Sequence, residues 1–273
     1  MSGSWTSWHK ATILLGMRLL PRLHLFEFLD QPWLPALLRR GEVDYLHVVL
    51  DRTRPYDAVA PQLGELLRMT GTNRIIDLCS GTGGPWRTLL PVLRKAHPEA
   101  EVVLTDLHPT PVPELPEGAQ YRDTPVDVTR IPEELTGLRT LFEALHHFRP
   151  KQARAVLADA ASRGVPIAAF ELTQRSLPYV LIQLLLIIPL VWGFTPLIRP
   201  VRWWRLLLTY LVPIIPLLIL WDGVVSSLRT YAPEDLEELT EGLDANGYRW
   251  HSGVHRAQGM TITYLLGLPR RRF

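Results

Sequence analysis

Hydrophobic positions follow two different spacings along this chain of 273 residues. Between residues 5 and 70 they recur three or four apart, as in TILLGMRLLPRLHLFEFL and PYDAVAPQLGELLRMTG, which predicts helices. From residue 74 short β-branched runs alternate with helical segments, and the five predicted strands are RIIDLC, EVVLTDL, AQYRDTPVDV, LRTLFEAL and VPIAAFEL. This alternation requires crossover connections, so we expect an α/β fold whose mostly parallel sheet is covered on both faces.

The end of the chain predicts the edge of the same sheet. PEDLEELTEGLDANG is typical of an acidic, N-capped helix that ends near Gly247, and YRWHSGVHR and MTITYLLGL predict two closing strands. Between the fifth strand and this helix lies a strongly apolar stretch. We therefore divide the chain into an N-terminal helical cap, a main α/β domain in two pieces and an apolar helical hairpin insertion: 1–70, 71–175 with 230–273, and 176–229.

Charge and cysteine usage narrow the function classes. Lys and Arg number 29 against 27 Asp and Glu, and a net charge of +2 gives too weak a field to indicate a nucleic-acid partner. Cys79 is the one cysteine, so there is no disulfide framework and no zinc cluster, and we expect no metal site. No secretory signal is evident, which favours the cytoplasm for the main domain.

A glycine-rich turn follows the first predicted strand. In RIIDLCSGTGG the strand ends in Asp77 and turns through Gly81 and Gly83 into a helix, where ligand atoms can approach the backbone and the helix amides. Small-residue turns also close ordinary strand-to-helix junctions. The next strand, however, ends in Asp106, about twenty residues beyond the glycines, where a carboxylate can bind both hydroxyls of a ribose.

DLCSGTGG followed by VVLTDL resembles the first motif and the ribose-binding acid of class I S-adenosylmethionine-dependent methyltransferases, over roughly residues 74–171 and again over 233–269. The resemblance implies a Rossmann-like class I methyltransferase sheet with an antiparallel closing strand, and S-adenosylmethionine as cofactor. Cys79 departs from the family, since it stands where the first glycine is most frequent. A nicotinamide-binding enzyme is the rival, but D-x-C-x-G-x-G-G differs from the dinucleotide pattern G-x-G-x-x-G.

The resemblance also assigns roles to residues. Asp77 and the backbone around Gly81 and Gly83 would hold the amino acid end of the cofactor, Asp106 the ribose and Asp127 the adenine amino group. The full expected set for the cofactor is Asp77, Cys79, Ser80, Gly81, Thr82, Gly83, Asp106, Leu107, Asp127 and Val128.

Candidate catalytic residues lie after the fourth and fifth strands. Methyl transfer needs mainly alignment and exclusion of water, and a base only if the acceptor must lose a proton. His146 or His147 could deprotonate a hydroxyl, and Glu171 faces the same edge, although polar loop residues and a solvated strand end explain all three. A first further group could form a lid or merely a helix-ending turn: Glu27, Asp30 and Trp33. A second group could line an acceptor pocket or merely follow a tight turn: Trp221, Asp222, Ser226, Arg229 and Tyr231.

Two nearly uncharged runs, PYVLIQLLLIIPLVWGF and LLLTYLVPIIPLLILW, form the insertion. Each is slightly shorter than the roughly 20 residues that span hydrocarbon. A full crossing would carry Arg199, Arg202 and Arg205 to the far side, against the usual retention of positive charge in the cytoplasm. Trp203 and Trp204 suit the headgroup layer, so we favour shallow insertion. The N-terminal WTSWHKATILLGMRLL has the same mixture of residues and could lie beside it. A two-span hairpin and a water-soluble dimer or pocket cover are the alternatives.

Taken together, these patterns predict a membrane-associated methyltransferase on the cytoplasmic face, bound to membrane lipids through 177–221. Its acceptor would be a hydrophobic or lipid-like small molecule, methylated at oxygen in preference to carbon or nitrogen. The alternatives are a non-catalytic membrane adaptor that keeps the fold, and a soluble methyltransferase that dimerises through the apolar segment.

Overall fold

One seven-stranded sheet organises the chain. The computed structural model describes residues 20–110, 112, 114–244, 247–257 and 259–269. The strands follow the order β3-β2-β1-β4-β5-β7-β6, and all are parallel except β7, which runs antiparallel to both of its neighbours. Their bounds are β1 Arg74–Asp77, β2 Glu101–Leu104, β3 Ala119–Tyr121, β4 Leu138–Phe142, β5 Ile167–Glu171, β6 Arg249–Ala257 and β7 Met260–Leu268. The predicted α/β sheet with its antiparallel closing strand is confirmed.

Helices cover both faces of this sheet and extend beyond its carboxyl edge. They are α1 Ala36–Thr53, α2 Ala60–Thr70, α3 Trp86–Arg94, α4 Pro150–Arg163, α5 Leu177–Phe194, α6 Trp203–Leu206, α7 Ile214–Arg229 and α8 Pro233–Thr240. Successive residues of a strand point to opposite faces. Ile75 accordingly packs with α2 and α3, whereas Ile76 packs with α4 and α8. Both sides of the parallel strands are therefore buried, which accounts for their continuous apolar runs.

The strand order creates a crevice at the carboxyl edge of β1. The chain builds outwards from β1 through β2 to β3 and then restarts on the other side with β4 and β5. The connections after β1 and β4 thus leave the edge in opposite directions. Ligands of open α/β sheets bind at such a topological switch point.

One predicted helix and the predicted ends of two further elements were wrong. Helix was predicted over residues 12–29, but the described part from Leu20 onwards is irregular, because its backbone groups pair with other segments: Leu20 N donates to Arg175 O at 3.2 Å and Leu23 N to Leu228 O at 3.0 Å. We call residues 20–31 the strap. The third strand ends at Tyr121 instead of continuing to residue 128, and the acidic helix ends at Thr240. Residues 1–19, and residues 245 and 246 within the predicted acidic helix, lie outside the described residues.

The insertion forms helices as predicted, but it does not stand alone. A 3-10 turn, Thr195–Leu197, ends α5, and a π-helical segment, Leu207–Leu211, continues α6 before α7. Tyr45 of α1 packs with Val191, Ile198, Ile215 and Ile219 of the insertion in one buried cluster. Arg205 of the insertion forms an ion pair with Asp44 of α1. The N-terminal cap and the insertion therefore share a core. The three-part domain division stays a prediction.

The contact between α1 and α7 includes a buried acid. Glu42 on α1 is 1% exposed, and burial, followed by the negative charge of Asp222 on α7, raises its pKa to about 8. Asp222 in turn accepts hydrogen bonds from Phe28 N at 2.7 Å and Leu29 N at 2.9 Å. This pair of carboxyl groups consequently joins α1, α7 and the strap.

We expect Glu42 to make the free energy of unfolding depend on pH. The folded protein keeps its proton up to about pH 8, whereas the unfolded chain releases it near the ordinary value of 4.5, so stability falls as pH rises between these values. The slope is at most about 1.4 kcal/mol per pH unit. Glu42→Gln removes this pH dependence. Urea unfolding should therefore show that the free energy of unfolding of the variant rises relative to that of the parent chain from pH 5 to pH 8. Exposed Glu99→Gln is the control, and parallel pH profiles for the parent chain and Glu42→Gln would contradict the assignment.

Candidate active site

Four neighbouring strands each carry an acid at their carboxyl end. Asp77 and Glu171 are the last residues of β1 and β5, Glu143 follows directly after β4, and Asp106 is the second residue after β2. Burying a carboxylate is costly unless it accepts hydrogen bonds. Each of the four does so from a neighbouring strand or loop, and together they fasten this edge of the sheet.

Asp77 ties β1 to β4. Its Oδ1 accepts from Thr140 Oγ1 at 2.7 Å and its Oδ2 from Ser80 Oγ at 2.6 Å. Burial raises its pKa to about 6, against the opposing effect of these two hydrogen bonds. Asp77 is only 1% exposed. It therefore stabilises the turn through its bond with Ser80. The direct cofactor contact implied for Asp77 stays a prediction.

The glycine turn between β1 and α3 presents its backbone to open space. Gly81 is exposed, has a φ of +53°, and no atom lies within 4 Å of the position that a Cβ would occupy. At Gly83 a Cβ would come 3.1 Å from Val112 Cγ1, on the loop after β2. Thr82, which lies between these two glycines, contacts α1, because His47 Nε2 lies 2.6 Å from its Oγ1. The turn is thus open at Gly81 and flanked by the cap.

Asp106 lies across the crevice from this turn. Its Oδ2 accepts from Gly81 N and its Oδ1 from His108 N, both at 2.8 Å. Tyr121 closes the same corner, since its hydroxyl donates to Gly81 O at 3.1 Å and accepts from Thr110 N at 2.9 Å. The sequence motif and the acid beyond it, 25 positions apart, therefore meet in space.

The remaining predicted cofactor residues border the same corner. Asp127 is exposed and its Oδ1 accepts from Thr129 N at 2.8 Å and Thr129 Oγ1 at 2.7 Å, which lowers its pKa. Cys79 has a left-handed φ of 57°. Burial, followed by the negative charges of Asp106, Asp77 and Asp127, raises the pKa of its thiol. Leu107 is 49% exposed and Val128 is buried.

The three predicted catalytic residues also come together. His146 Nδ1 lies 2.6 Å from Glu171 Oε2, and Glu171 Oε1 accepts from Leu145 N at 2.8 Å. Burial raises the pKa of Glu171 to about 7, and burial, followed by the charge of His147, lowers that of His146 to about 4. His146 is therefore neutral near pH 7. Its Nε2 is buried and has no hydrogen-bond partner among the described residues.

His147 belongs to an ion cluster with the strap and the end of α7. Its Nδ1 lies 3.1 Å from Asp30 Oδ1 and 3.8 Å from Glu27 Oε2. Arg229 NH1 lies 2.9 Å from Glu27 Oε1 and 2.8 Å from Asp30 Oδ2. Although burial acts in the opposite direction, the hydrogen bond to Asp30 and the charge of Glu27 raise the pKa of His147 to about 9. The structure thus brings together Glu27, Asp30, His147 and Arg229, which the sequence had left in separate groups.

Sequence reasoning missed Glu143. Its backbone is left-handed, with a φ of 49°, and its carboxylate accepts from Tyr56 OH, Leu172 N and Thr173 Oγ1. A side chain held in this conformation at the end of a central strand is typical of a functional site. The acid in LFEAL, directly after a predicted strand, was the one sequence feature that pointed to it. Trp33, by contrast, is 62% exposed and lies away from the cluster against Phe28.

Two triads of donor atoms could geometrically hold a metal ion, with all three atoms of each within 4.8 Å of one another. They are Glu27, His146 and His147; and Glu143, His146 and Glu171. In the first, Arg229 already supplies a cation at Glu27. In the second, His146 and Glu171 pair directly. Contacts within the protein thus engage both triads.

Comparison with known proteins bears on the fold. No protein-family model matches the chain, and no curated protein matches it. Among solved structures, the plantazolicin methyltransferase BpumL in complex with S-adenosylhomocysteine has a TM-score of 0.53 at 12% identity, over 89% of this chain and 94% of that one. This chain has the class I methyltransferase fold.

Two further solved structures of methyltransferases are less similar. Human N-acetylserotonin methyltransferase in complex with S-adenosylmethionine has a TM-score of 0.49 at 14% identity, over 92% of this chain and 64% of that one. Magnesium protoporphyrin IX methyltransferase from Synechocystis PCC 6803, also with S-adenosylmethionine, has a TM-score of 0.41 at 10% identity, over 82% and 84%.

The bond between Thr140 and Asp77 should stabilise this methyltransferase fold measurably. Thr140→Val keeps the side-chain shape but leaves a buried carboxylate oxygen without this donor, so we expect a loss of about 1–3 kcal/mol in the free energy of unfolding. Thr129→Val is the matched control, because its hydroxyl also bonds an aspartate but on the surface, and it should cost less than about 0.5 kcal/mol. Urea unfolding measures both, and equal losses would refute the assignment.

Proposed function

We propose that this chain is an S-adenosylmethionine-dependent methyltransferase that lies at the cytoplasmic face of a membrane and methylates a hydrophobic acceptor at oxygen. The observation that carries the proposal is the meeting of Asp106 with Gly81 at the switch point of the sheet. In class I methyltransferases, which this sequence resembles, these two positions hold the cofactor.

The residues of the crevice fit this cofactor. The empty space at Gly81 admits ligand atoms next to the backbone, and the Asp106 carboxylate can exchange its two backbone donors for ribose hydroxyls. Asp127, exposed on the same side, is available to the adenine amino group. When bound, the cofactor supplies an already activated methyl carbon. The protein then has to orient the acceptor and exclude water.

The acceptor side lies at the ends of β4 and β5. His146 is neutral and buried, and Glu171 holds its Nδ1, so its Nε2 is the atom that could accept a proton if the acceptor is a hydroxyl; its low pKa makes it a weak base. His147, which is cationic near pH 7, is suited to bind negative charge. Glu171 is then a positioning residue.

Exposed apolar side chains of the insertion support membrane association. Leu185, Trp203 and Leu211 are 72%, 75% and 75% exposed. The 21 residues Leu177–Leu197 are long and apolar enough to cross a membrane. The other two segments, Trp203–Leu211 and Ile214–Arg229, are bent by 72° relative to each other. Exposed apolar surfaces of this extent typically mark contact with a membrane or another protein.

The packing of α1 favours shallow insertion over a two-span hairpin. α1 contacts Val191, Ile198 and Ile215 in the far half of the insertion, and it carries Arg40 and Asp44. A hairpin that crossed the bilayer would have to take these charges into hydrocarbon, which is costly. Lying in the interface leaves them in water.

The alternatives differ in measurable ways. A non-catalytic adaptor would not need the pairing of Asp106 with the glycine turn, and its retention favours an enzyme. A soluble methyltransferase that dimerises through the apolar surface would elute as a dimer in detergent-free buffer and would not bind vesicles.

Cofactor binding should depend on Asp106. Asp106→Asn removes the negative charge that accepts ribose hydroxyls, so we expect calorimetry with S-adenosylhomocysteine to show about 10- to 100-fold weaker binding. Asp244→Asn changes an exposed acid after α8 and should leave the affinity unchanged. Wild-type protein that binds a nicotinamide dinucleotide and not S-adenosylhomocysteine would overturn the proposal.

Vesicle binding should depend on the exposed leucines. The double substitution Leu185→Glu with Leu211→Glu removes two apolar side chains from the interface, and we expect at least about tenfold less protein to co-sediment with phosphatidylglycerol-containing vesicles. Leu107→Glu changes an equally apolar, 49% exposed side chain on the loop after β2 and serves as control. Equal sedimentation of all three proteins would exclude this surface as the membrane contact.

A further inference from the structure

A carboxylate of the chain itself fills the acceptor side of the site. Glu27, on the strap, is 3% exposed, and its Oε1 lies 2.9 Å from Arg229 NH1. Its Oε2 lies 3.8 Å from His147 Nδ1, and its Oε1 lies 3.9 Å from the unpartnered Nε2 of His146. Glu27 therefore occupies a polar recess at the ends of β4 and β5, between a guanidinium and two imidazoles.

Arg229 is fixed for binding a carboxylate. It ends α7, its side chain is 4% exposed, and its Nε donates to Leu25 O at 2.7 Å, which orients the guanidinium. A buried arginine oriented in this way binds carboxylates through charge-assisted hydrogen bonds. His147 adds a second positive charge, because Asp30 and Glu27 keep its pKa high.

The strap that delivers Glu27 is not part of the sheet or of a helix. Arginine side chains and Asp222 hold much of it: Arg39 NH2 donates to Gln31 O at 2.6 Å, and Asp222 accepts from Phe28 N and Leu29 N. Its Leu23, Leu25 and Phe26 are 41–46% exposed. Glu27 meets Arg229 through its side chain alone, so another carboxylate can replace it while these backbone bonds stay in place.

Apolar groups lead from this recess to the insertion. Phe26 and Phe28 lie 5.5 Å and 6.2 Å, between ring centroids, from Trp221 of α7. Trp221 Nε1 donates to Phe26 O at 3.0 Å. The strap thus joins the ion cluster at Glu27 to the apolar surface that we assign to the membrane.

We propose that the acceptor is a lipophilic carboxylic acid, whose carboxylate takes the place of Glu27 on Arg229 and His147. This inference rests on the proposed methyltransferase function and names its substrate class. In the absence of the acceptor, the Glu27 carboxylate occupies the position that the acceptor carboxylate would take. Membrane association would bring the apolar tail of the acid to the recess.

The chemistry of such an acceptor needs no base. One carboxylate oxygen uses a lone pair to form a bond to the methyl carbon of S-adenosylmethionine, the carbon–sulfur bond breaks, and its electron pair stays on sulfur. The products are a neutral methyl ester and S-adenosylhomocysteine, and no proton moves. Loss of the negative charge weakens the contact with Arg229, which favours release of the ester into lipid.

Binding of the acid can be measured without cofactor. Isothermal calorimetry with dodecanoate on the full chain, with dodecanol as the uncharged match, should show binding of the acid alone. Arg229→Gln should weaken dodecanoate binding at least about tenfold. Arg175→Gln is the matched control, because Arg175 is also buried and donates to the strap at Leu20 O, but its charge pairs with Asp235 instead of Glu27, so the affinity should change less than about threefold.

A second variant keeps the test decisive if Arg229→Gln does not fold. Glu27→Gln removes the competing negative charge, so dodecanoate should bind about three- to tenfold more tightly than to the parent chain. Unchanged or weaker binding to Glu27→Gln, equal binding of dodecanol, or equal losses in Arg229→Gln and Arg175→Gln would each overturn the inference.

A methyl-transfer assay separates this inference from the proposed function. With S-adenosylmethionine and vesicles that contain dodecanoate or dodecanol, the expected product is the alkali-labile methyl ester of the acid. Methylation of dodecanol alone would refute the carboxylate acceptor and leave the methyltransferase assignment standing. Absence of S-adenosylhomocysteine binding in calorimetry would instead refute the methyltransferase assignment.

Discussion

The pairing of four carboxylates at one edge of the sheet is the constraint on which the rest of this structure depends. Asp77, Asp106, Glu143 and Glu171 end four neighbouring strands, and each accepts hydrogen bonds from a residue on an adjacent strand or loop. Asp77 and Glu171 are buried, and a buried carboxylate cannot be left unpaired without a large cost. These acids therefore fix the loops of the edge relative to one another. The crevice at Gly81 lies at this edge, and Glu27 lies beside it, where the strap meets His146 and Arg229.

Much of the fold was readable from the sequence because its strands are buried on both faces. Runs such as RIIDLC and VPIAAFEL keep apolar residues at successive positions, and the segments between them have helical spacing. The pairing of Asp106 with the glycine turn followed from the resemblance to class I methyltransferases, and the structure brings the two together. Boundaries were less predictable. Nothing in AQYRDTPVDV marks the end of β3 at Tyr121, since it is set by pairing with β2.

The rest of the site depends on contacts between distant segments, which a sequence does not display. Glu27 and Arg229 are more than 200 positions apart, and helical spacing in HLFEFL concealed an irregular strap. The strap lacks a helix because Asp222 and several arginines satisfy its backbone groups. Glu143 was missed for the same reason, since its partners Tyr56 and Thr173 come from other elements. The insertion was recognised from its composition, whereas its shared core with α1 was not.

The cap, the strap and the insertion meet around the same polar recess. Cofactor, acceptor and membrane would therefore all bind on one side of the molecule. The most direct test is an experimental structure of the chain with S-adenosylhomocysteine and dodecanoate bound. Our account predicts ribose hydroxyls on Asp106, the dodecanoate carboxylate on Arg229 and His147, and Glu27 displaced. A nucleoside bound elsewhere, or dodecanoate bound away from Arg229 with Glu27 still in place, would contradict it.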